Sequence, residues 1–372
     1  MDAVASYVRR RPMPPAVVAD VGWVGGLAAL RSLARAGAPV VALDHRRSAL
    51  GFRSRDAFPI LSPDPVADRE GYAELLAALA EAFGRPAPIF PTHDEHLVAI
   101  GRAGERLEGR FLFPFPRWEV LEPILSKRYQ LERAGELGVP VPRTVEAPTD
   151  ELGFPALVKP SDPVGFKRAF RRQSFRCSSR AELDEAFERA RPYGPLVQEW
   201  VPGGDADLYT LGSYVEPDGE AVAIFSGRTL RQSPHGVGAA RVAEAVWVDE
   251  VVEQGLALLR GLRFKGISQV EFKRDPRDGR FKLIEVNARL WQWHGLAAAC
   301  GVDLPRVAYW GLLGARLPAR SQNGARKRSA ITLLGRTRPA FPRPPYVDAV
   351  FAARDPGPAI VHAARVIRRL LR

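Results

Sequence analysis

Cysteine and long apolar runs are what this chain has least of. Only two cysteines occur in 372 residues, Cys177 and Cys300. They form no metal-like pair and no disulfide framework, which fits a reducing cytoplasm. No uninterrupted apolar run approaches the roughly 20 residues of a membrane span. Residues 1–15 contain no apolar segment of the signal-peptide kind, so a cytoplasmic protein is expected. There is no internal repeat and no low-complexity segment. What remains is a chain that is 46% apolar with mixed charge, the composition of a globular protein with room for two or three domains. Its net charge of +12 is uneven. Residues 320–372 hold 12 Lys or Arg against 2 Asp or Glu, so +10 of the charge belongs to the tail.

The first third reads as a doubly wound α/β unit. Ala16–Asp20 is an apolar run followed by Gly22, Gly25 and Gly26, and then by a helix over 27–36 closed by Gly37. Pro39–Asp44 is a second strand that ends in an acid. The spacing Gly-x-x-Gly-Gly is not the Gly-x-Gly-x-x-Gly of dinucleotide-binding turns. A structural Rossmann-like domain with a crevice at its strand ends is therefore expected, with a nicotinamide site as the alternative. Further on, a helix over 72–83 and a short strand at Pro88–Pro91 lead into Thr92-His93-Asp94-Glu95-His96. A helix start explains these residues: Thr92 would be the cap, with two acids in the first turn. A metal would need a third ligand that is not evident. Their place at a strand end makes them candidate substrate contacts.

The most informative stretch is Val270–Arg289. Two strand-like runs flank Asp275-Pro276-Arg277-Asp278-Gly279, a tight-turn sequence. Folding them about Asp278 sets Glu271 opposite Glu285, with Asn287 on the same face. Val270, Phe272, Ile284 and Val286 then fill the other face. Facing carboxylates destabilise a sheet, so the pair needs a reason. An oxygen-only donor set of Glu271, Glu285 and Asn287 suits Mg²⁺ on nucleotide phosphates; a solvated hairpin face is the alternative.

Glu-Phe-Lys, a turn and Glu-Val-Asn-Ala-Arg together resemble the metal-binding hairpin of the ATP-grasp superfamily. Other segments match that family in the same order. Lys127 starts a helix that is followed by Gly138-Val139-Pro140-Val141-Pro142-Arg143-Thr144. Phe154–Pro160 resembles the family's strand ending in a lysine, here Lys159. Gln198–Asp205 resembles the hinge that holds adenine. The resemblance covers roughly residues 15–315 and is nearest the carboxylate–amine ligases that include D-aspartate ligase. It implies an α/β ATP-grasp fold of two α+β lobes clamping ATP. The expected divisions are a Rossmann-like domain at 1–115, a small lobe at 116–195, a large lobe with the Mg²⁺ site at 196–318, and a basic tail at 319–372.

The same resemblance assigns roles. ATP and Mg²⁺ are the cofactors, with Mn²⁺ as a substitute. Lys127 and Lys159 orient phosphates, Gln198, Glu199 and Val201 surround adenine, and Asp205 takes the ribose. Arg289 stabilises charge during phosphoryl transfer, and Arg228 and Arg231 bind the acyl phosphate or substrate carboxylates unless they serve only as surface charge. The partners are a small carboxylate of the amino-acid kind and an amine; a homodimer is one open arrangement. One departure is plain. The family's glycine-rich phosphate loop corresponds to 161–172, where Gly165 is the only glycine, and arginines could supply the donors instead. Trp291 and His294 are expected beside the substrate pocket.

Two other readings come from composition. One is a nicotinamide-dependent oxidoreductase using the N-terminal unit. The other is binding of nucleic acid or another anionic surface through the tail. The tail has little aromatic interleaving beyond Phe341, Tyr346 and Phe351, so nucleic acid is not expected. A helix over 359–372 would gather Ile360, Ala363, Ile367, Leu370 and Leu371 on one side. Arg365, Arg368, Arg369 and Arg372 fall on the other. Such a helix either packs on the body of the protein or meets an anionic surface, such as the inner membrane face or a phosphate-rich precursor.

Overall fold

A computed structural model describes residues 1–236, 238–322, 328–330 and 346–370. The N-terminal part is a parallel five-stranded sheet with strands β1 (Ala16–Ala19), β2 (Val40–Asp44), β3 (Ala57–Leu61), β4 (Ala87–Pro91) and β5 (Phe111–Leu112), in the order β3-β2-β1-β4-β5. Every neighbouring pair is parallel. β1, β2 and β4 are buried throughout, as continuous apolar runs covered on both faces should be. The order reverses between β1 and β4, which opens a crevice beyond their carboxyl ends. Asp20 and Thr92 lie there.

The second unit is an antiparallel sheet of β6 (Thr144–Val145), β7 (Ala156–Pro160), β8 (Phe175–Cys177) and β9 (Pro195–Glu199), in the order β6-β9-β7-β8. It has its own core of Val158, Phe166, Phe175, Leu183 and Val197. Phe166, Phe170, Phe175 and Tyr193 stack there with ring centroids 4.8–5.8 Å apart. Residues 161–172 differ from the expected loop. Pro163–Phe170 is a helix, capped by Asp162, whose Oδ1 accepts from the amides of Val164 and Gly165. Proline at the first helical position and an aspartate before it are start signals.

The third unit is a mixed sheet. It comprises β10 (Leu208–Val215), β11 (Ala221–Ser233), β12 (Ala239–Ala245), β13 (Gly266–Arg274), β14 (Phe281–Asn287), β15 (Arg320–Ser321), β16 (Arg328–Ala330) and β17 (Tyr346–Asp348). β13 and β14 are the hairpin read from sequence, and Glu271 does pair with Glu285. A bulge after Glu271 sets Phe272 opposite Leu283. Leu283 therefore enters the core with Val270, Phe272 and Val286. Ile284, expected on that face, turns to the cleft instead; a bulge inserts one residue and re-aims its neighbour. This sheet shares its apolar core with the N-terminal domain, since Leu211, Val270 and Val286 cluster with Val17, Leu43 and Ile89.

The tail returns to the N-terminal domain. Buried Asp355 accepts from Arg31 Nε (2.8 Å) and Ser54 Oγ (2.8 Å), while Arg31 also donates to the carbonyls of Val350 and Asp355. The terminal helix is Gly357–Leu370. It packs on the short turn Leu50–Arg53, and Arg365 donates to the Ser48 carbonyl. Leu371, Arg372 and Phe341 lie outside the described residues.

Candidate functional site

The cleft lies where the second and third units face each other and meet the strand-end crevice. Strand pairing sets its floor in rows. Glu285, Glu271, Thr210 and Gly227 stand abreast on β14, β13, β10 and β11, and Asn287, Gln269, Gly212 and Phe225 form the next row. Gly212 and Gly227 have a packing reason. A Cβ on Gly212 would collide with the Trp291 ring, and one on Gly227 would press on Trp293. The two indoles lie on the sheet where those side chains would be.

The carboxylate pair is desolvated and tied. Lys127 Nζ is 2.5 Å from Glu285 Oε2. Asn287 Nδ2 donates to Glu285 Oε1 (3.0 Å), and Gln269 Nε2 to Glu271 Oε1 (3.1 Å). Burial and the repulsion of Glu285 push Glu271 up to about 8. Glu285 is equally removed from water, but the Lys127 ammonium and its hydrogen bonds hold it well below the usual range. Two acids with opposite shifts behave as a pair sharing one proton. Among the described residues no group of three His, Cys, Asp or Glu side chains is arranged to hold a metal. Two carboxylates and an amide oxygen nonetheless form a hard donor set for Mg²⁺ that phosphate oxygens would complete.

Gln130 is a positioning group that the sequence reading missed. Its side chain accepts from Val286 N (2.8 Å) and donates to Val286 O (2.9 Å) and Ile124 O (2.6 Å). It thereby pins the helix Lys127–Glu136, which carries Lys127, to the strand that carries Glu285. Lys159, next to last in β7, lines the same cleft. Burial, reinforced by Lys127, pushes its ammonium down to about 7.

At the hinge, Gln198, Glu199, Trp200 and Val201 all line the cleft. The Gln198 amide donates to Thr144 Oγ1 (3.0 Å). Glu199 is held low, against its burial, by three donors: the Arg143 amide, Lys282 Nζ (2.9 Å) and Arg277 Nη2 (2.8 Å). Asp275, at the start of the hairpin turn, also binds Arg277 and Lys282. This network clamps the hairpin turn to the hinge. Asp205 is placed differently from expectation. It is not among the cleft-lining residues. Its carboxylate accepts from Gln232 N (2.8 Å), Gly236 N (2.9 Å) and His235 Nδ1 (2.8 Å), and so shapes a loop whose Gln232 and Gly236 do reach the cleft.

The three arginines separate. Arg289 lines the cleft. It is held by Asp94 through Nε (2.5 Å) and Nη2 (2.9 Å), and it also donates to Asn287 Oδ1 (3.0 Å). Asp94 is desolvated, yet Arg289 holds it down at about 2. Arg228 and Arg231 are not among the lining residues. Arg228 faces Glu244 through Nε (3.1 Å) and Nη2 (3.0 Å), on the side of β11 opposite Thr229. Trp291 lines the cleft. His294 does not; its Nε2 lies 2.9 Å from the Gly25 carbonyl, and burial keeps it neutral, down at about 4.

At the strand ends the expected cap is shifted. Thr92 donates its hydroxyl to Asp20 O (2.6 Å), and His93 is the residue that precedes the helix Asp94–Arg102. His93 lines the cleft beside Lys167, Nζ to Nε2 2.8 Å. His96 is buried against the Tyr72 hydroxyl (2.8 Å). Asp44, where a nicotinamide ribose would be held, accepts instead from Arg46 N (2.8 Å) and Nε (2.9 Å), and Arg46 also reaches Asp20 (2.5 Å).

Comparison with known proteins agrees with this architecture. Residues 240–319 match the family model for the carbamoyl-phosphate synthase L chain, ATP binding domain. D-aspartate ligase from Enterococcus faecium is 24% identical over 233 residues, 57% of this chain and 55% of that protein. The chain thus spans about half the length of that relative. Biotin carboxylase from Campylobacter jejuni, solved as a β-γ-ATP complex, superposes with a TM-score of 0.66 and 17% identity, covering 82% of this chain and 72% of that one. N5-carboxyaminoimidazole synthetase from Staphylococcus aureus, solved with ADP, does so with a TM-score of 0.62 and 14% identity, covering 83% and 79%. At those identities the likeness is one of fold.

Proposed function

We propose that this chain, which shares its fold with biotin carboxylase and N5-carboxyaminoimidazole synthetase, is an ATP-grasp ligase, dependent on ATP and Mg²⁺, that joins a carboxylate to an amine through an acyl phosphate. The observation that carries this reading is the Glu271–Glu285 pair with Asn287, faced by Lys127 and Lys159 in one cleft with the hinge. The lobes would divide near 116–195 and 196–318, with a separate N-terminal domain supplying the strand-end wall.

In this scheme a carboxylate oxygen attacks the γ-phosphorus. The new O–P bond forms as the bond to the β,γ-bridging oxygen breaks, and ADP leaves. The amine nitrogen then attacks the acyl carbon, the C–N bond forms, the C–O bond to phosphate breaks, and the amine proton passes to solvent. Bound Mg²⁺ supplies charge neutralisation on the phosphates. Glu271, Glu285 and Asn287 would hold it, and Gln269 and Gln130 keep those groups in register. Lys127 and Lys159 orient the nucleotide. Arg289, fixed by Asp94, presents a guanidinium beside Asn287 where charge develops. The hinge would receive adenine through its main chain, since the Glu199 carboxylate is committed to Arg277 and Lys282.

The test is phosphate release with ATP, Mg²⁺ and amino acids of both hands, singly and in pairs. ADP and phosphate appearing only with a particular acid–amine pair is the expected result. AMP and pyrophosphate would instead mean adenylation and would overturn the scheme.

A second reading concerns where the enzyme works. Ile360 and Ile367 are 66% and 53% exposed on the terminal helix, and Phe351 is 58% exposed just before it. Arg368 is exposed beside them. With +10 of charge in residues 320–372, we propose that this face makes peripheral contact with an anionic membrane surface. Co-sedimentation with vesicles rich in anionic lipid should fall in Ile360→Ser/Ile367→Ser. Equal, negligible binding of both proteins at low salt would overturn it.

A further inference from the structure

The helix Pro163–Phe170 stands where related proteins carry a glycine-rich loop, and it cannot do that loop's work in the same way. A glycine-rich loop meets phosphates with free main-chain amides. Here the amides of Val164 and Gly165 are both taken by Asp162 Oδ1, each at 3.1 Å. Gly165 serves packing, since a Cβ there would run into the Asp162 carboxylate and press on the Tyr193 ring. Phe166 is buried in the lobe's own aromatic core. Polar contact with the cleft falls to the next residue, Lys167.

Lys167 and Arg168 are adjacent but differently paired. Arg168 is matched twice, to Asp64 Oδ1 (2.5 Å) and Glu95 Oε1 (3.2 Å), both on the N-terminal domain. Among the described residues Lys167 has His93 as its polar partner, at 2.8 Å. Burial pushes that imidazole down to about 3, so it is neutral and cancels none of the lysine's charge. Lys167 lines the cleft together with Lys127, Lys159, Glu285, Asn287 and Arg289, at the end away from the hinge. Among the described residues Lys127 is matched by Glu285 and Arg289 by Asp94. Among the described residues Lys167, like Lys159, makes no salt bridge, so its charge is left for a ligand. A second recess holds Lys167 with Lys127, Glu285, Asn287 and Arg289 and none of Gln198–Val201, so a nucleotide with adenine at the hinge would point its terminal phosphate toward Lys167.

We propose that Lys167 contacts the transferred γ-phosphoryl group in place of glycine-loop amides, and that Arg168 is the positioning residue that holds it there. The proposal rests on the ATP-dependent reading above. Its test is binding, with no need to know the ligase substrates. Calorimetric affinities of MgADP and of a non-hydrolysable MgATP analogue are measured for the wild type, Lys167→Ala, Lys167→Arg, Arg168→Ala and Arg168→Lys. Lys167→Ala should keep MgADP affinity within about twofold and lose about tenfold or more for the triphosphate, because one charged phosphate contact is removed. Lys167→Arg should recover most of it. Arg168→Ala should show a smaller loss with the same triphosphate bias, and Arg168→Lys should restore it. Retained MgADP affinity also reports that each variant is folded. Equal weakening of both nucleotides, or of neither, would overturn the assignment and leave Lys167 as a contact that only closes the lobe. Absence of both affinities in the wild type would overturn the ATP-dependent reading itself, and this proposal with it.

Discussion

The two lobes that flank the cleft are anchored by different physics. The sheet carrying Glu271 and Glu285 shares a continuous apolar core with the N-terminal domain. Separating them would expose large aliphatic and aromatic side chains to water, at about 25 cal/mol per Å². The smaller lobe keeps its aromatic core to itself. Its helix Pro163–Phe170 touches the N-terminal domain through Lys167–His93, Arg168–Asp64 and Arg168–Glu95. The first is a hydrogen bond to a neutral imidazole, and partly exposed ion pairs such as the two of Arg168 are worth about 0–1 kcal/mol each. One wall of the cleft is thus a floor packed on the N-terminal domain, carrying Glu271, Glu285 and Asn287. The other keeps a core of its own and is tied to the large sheet at the hinge by Glu199, Arg277 and Lys282, an arrangement that a lobe closing about that hinge would need.

Substitutions on the two sides should bear this out, beginning with the largest. Phe166→Ala empties the centre of the small core and should cost about 3–5 kcal/mol. Hydrogen exchange should show that loss within residues 156–199 and leave the large sheet protected; uniform loss would mean that the lobes are not separable. Glu285→Gln should lower turnover about 10²–10³-fold at temperatures where circular dichroism shows the variant folded. It also takes from Lys127 its buried carboxylate, so the melting temperature should fall. Near-normal kcat at saturating Mg²⁺ would remove Glu285 from the metal site. Lys159→Ala, on the small-lobe side, should cost about 1.5–3 kcal/mol in kcat/KM for ATP, the worth of a hydrogen bond to a charged group. Unchanged steady-state constants would make it an ordinary partly buried lysine. The smallest effect is expected from Glu95→Gln, which removes one of the two carboxylates on Arg168. It should shift stability by less than about 1 kcal/mol while speeding proteolysis within 161–174 in the absence of nucleotide. An unchanged cleavage rate would show that the contact does not hold the lobe closed.

How much of this was legible in the chain varied with range. The hairpin could be read because its information is local: a Pro and Asp-Gly turn between two alternating runs brings Glu271 opposite Glu285. The doubly wound N-terminal sheet was legible for the same reason, since buried parallel strands are short apolar runs. The bulge that turns Ile284 to the cleft was not, because register depends on what packs beneath the strand. The helix Pro163–Phe170 was read as a loop, although Asp162-Pro163 is a recognisable helix start. Arg228 and Arg289 looked alike as candidates. Only the partners, Glu244 for one and Asp94 for the other, separate them.

The sequence by itself determined which groups could carry charge, which strands would alternate, and that two carboxylates would face each other across a turn. Those follow from covalent order and the period of a strand. Tertiary structure decided how each group is used. Asp94 reaches Arg289 across 195 positions and Lys127 reaches Glu285 across 158. Asp205, a ribose candidate by its place after the hinge, is spent on a loop. Lys167, unremarkable in the chain, lines the end of the cleft with, among the described residues, an imidazole rather than a carboxylate beside it. Burial and the charge on the nearest partner set what an ionisable group does, and both arise only when distant segments pack together.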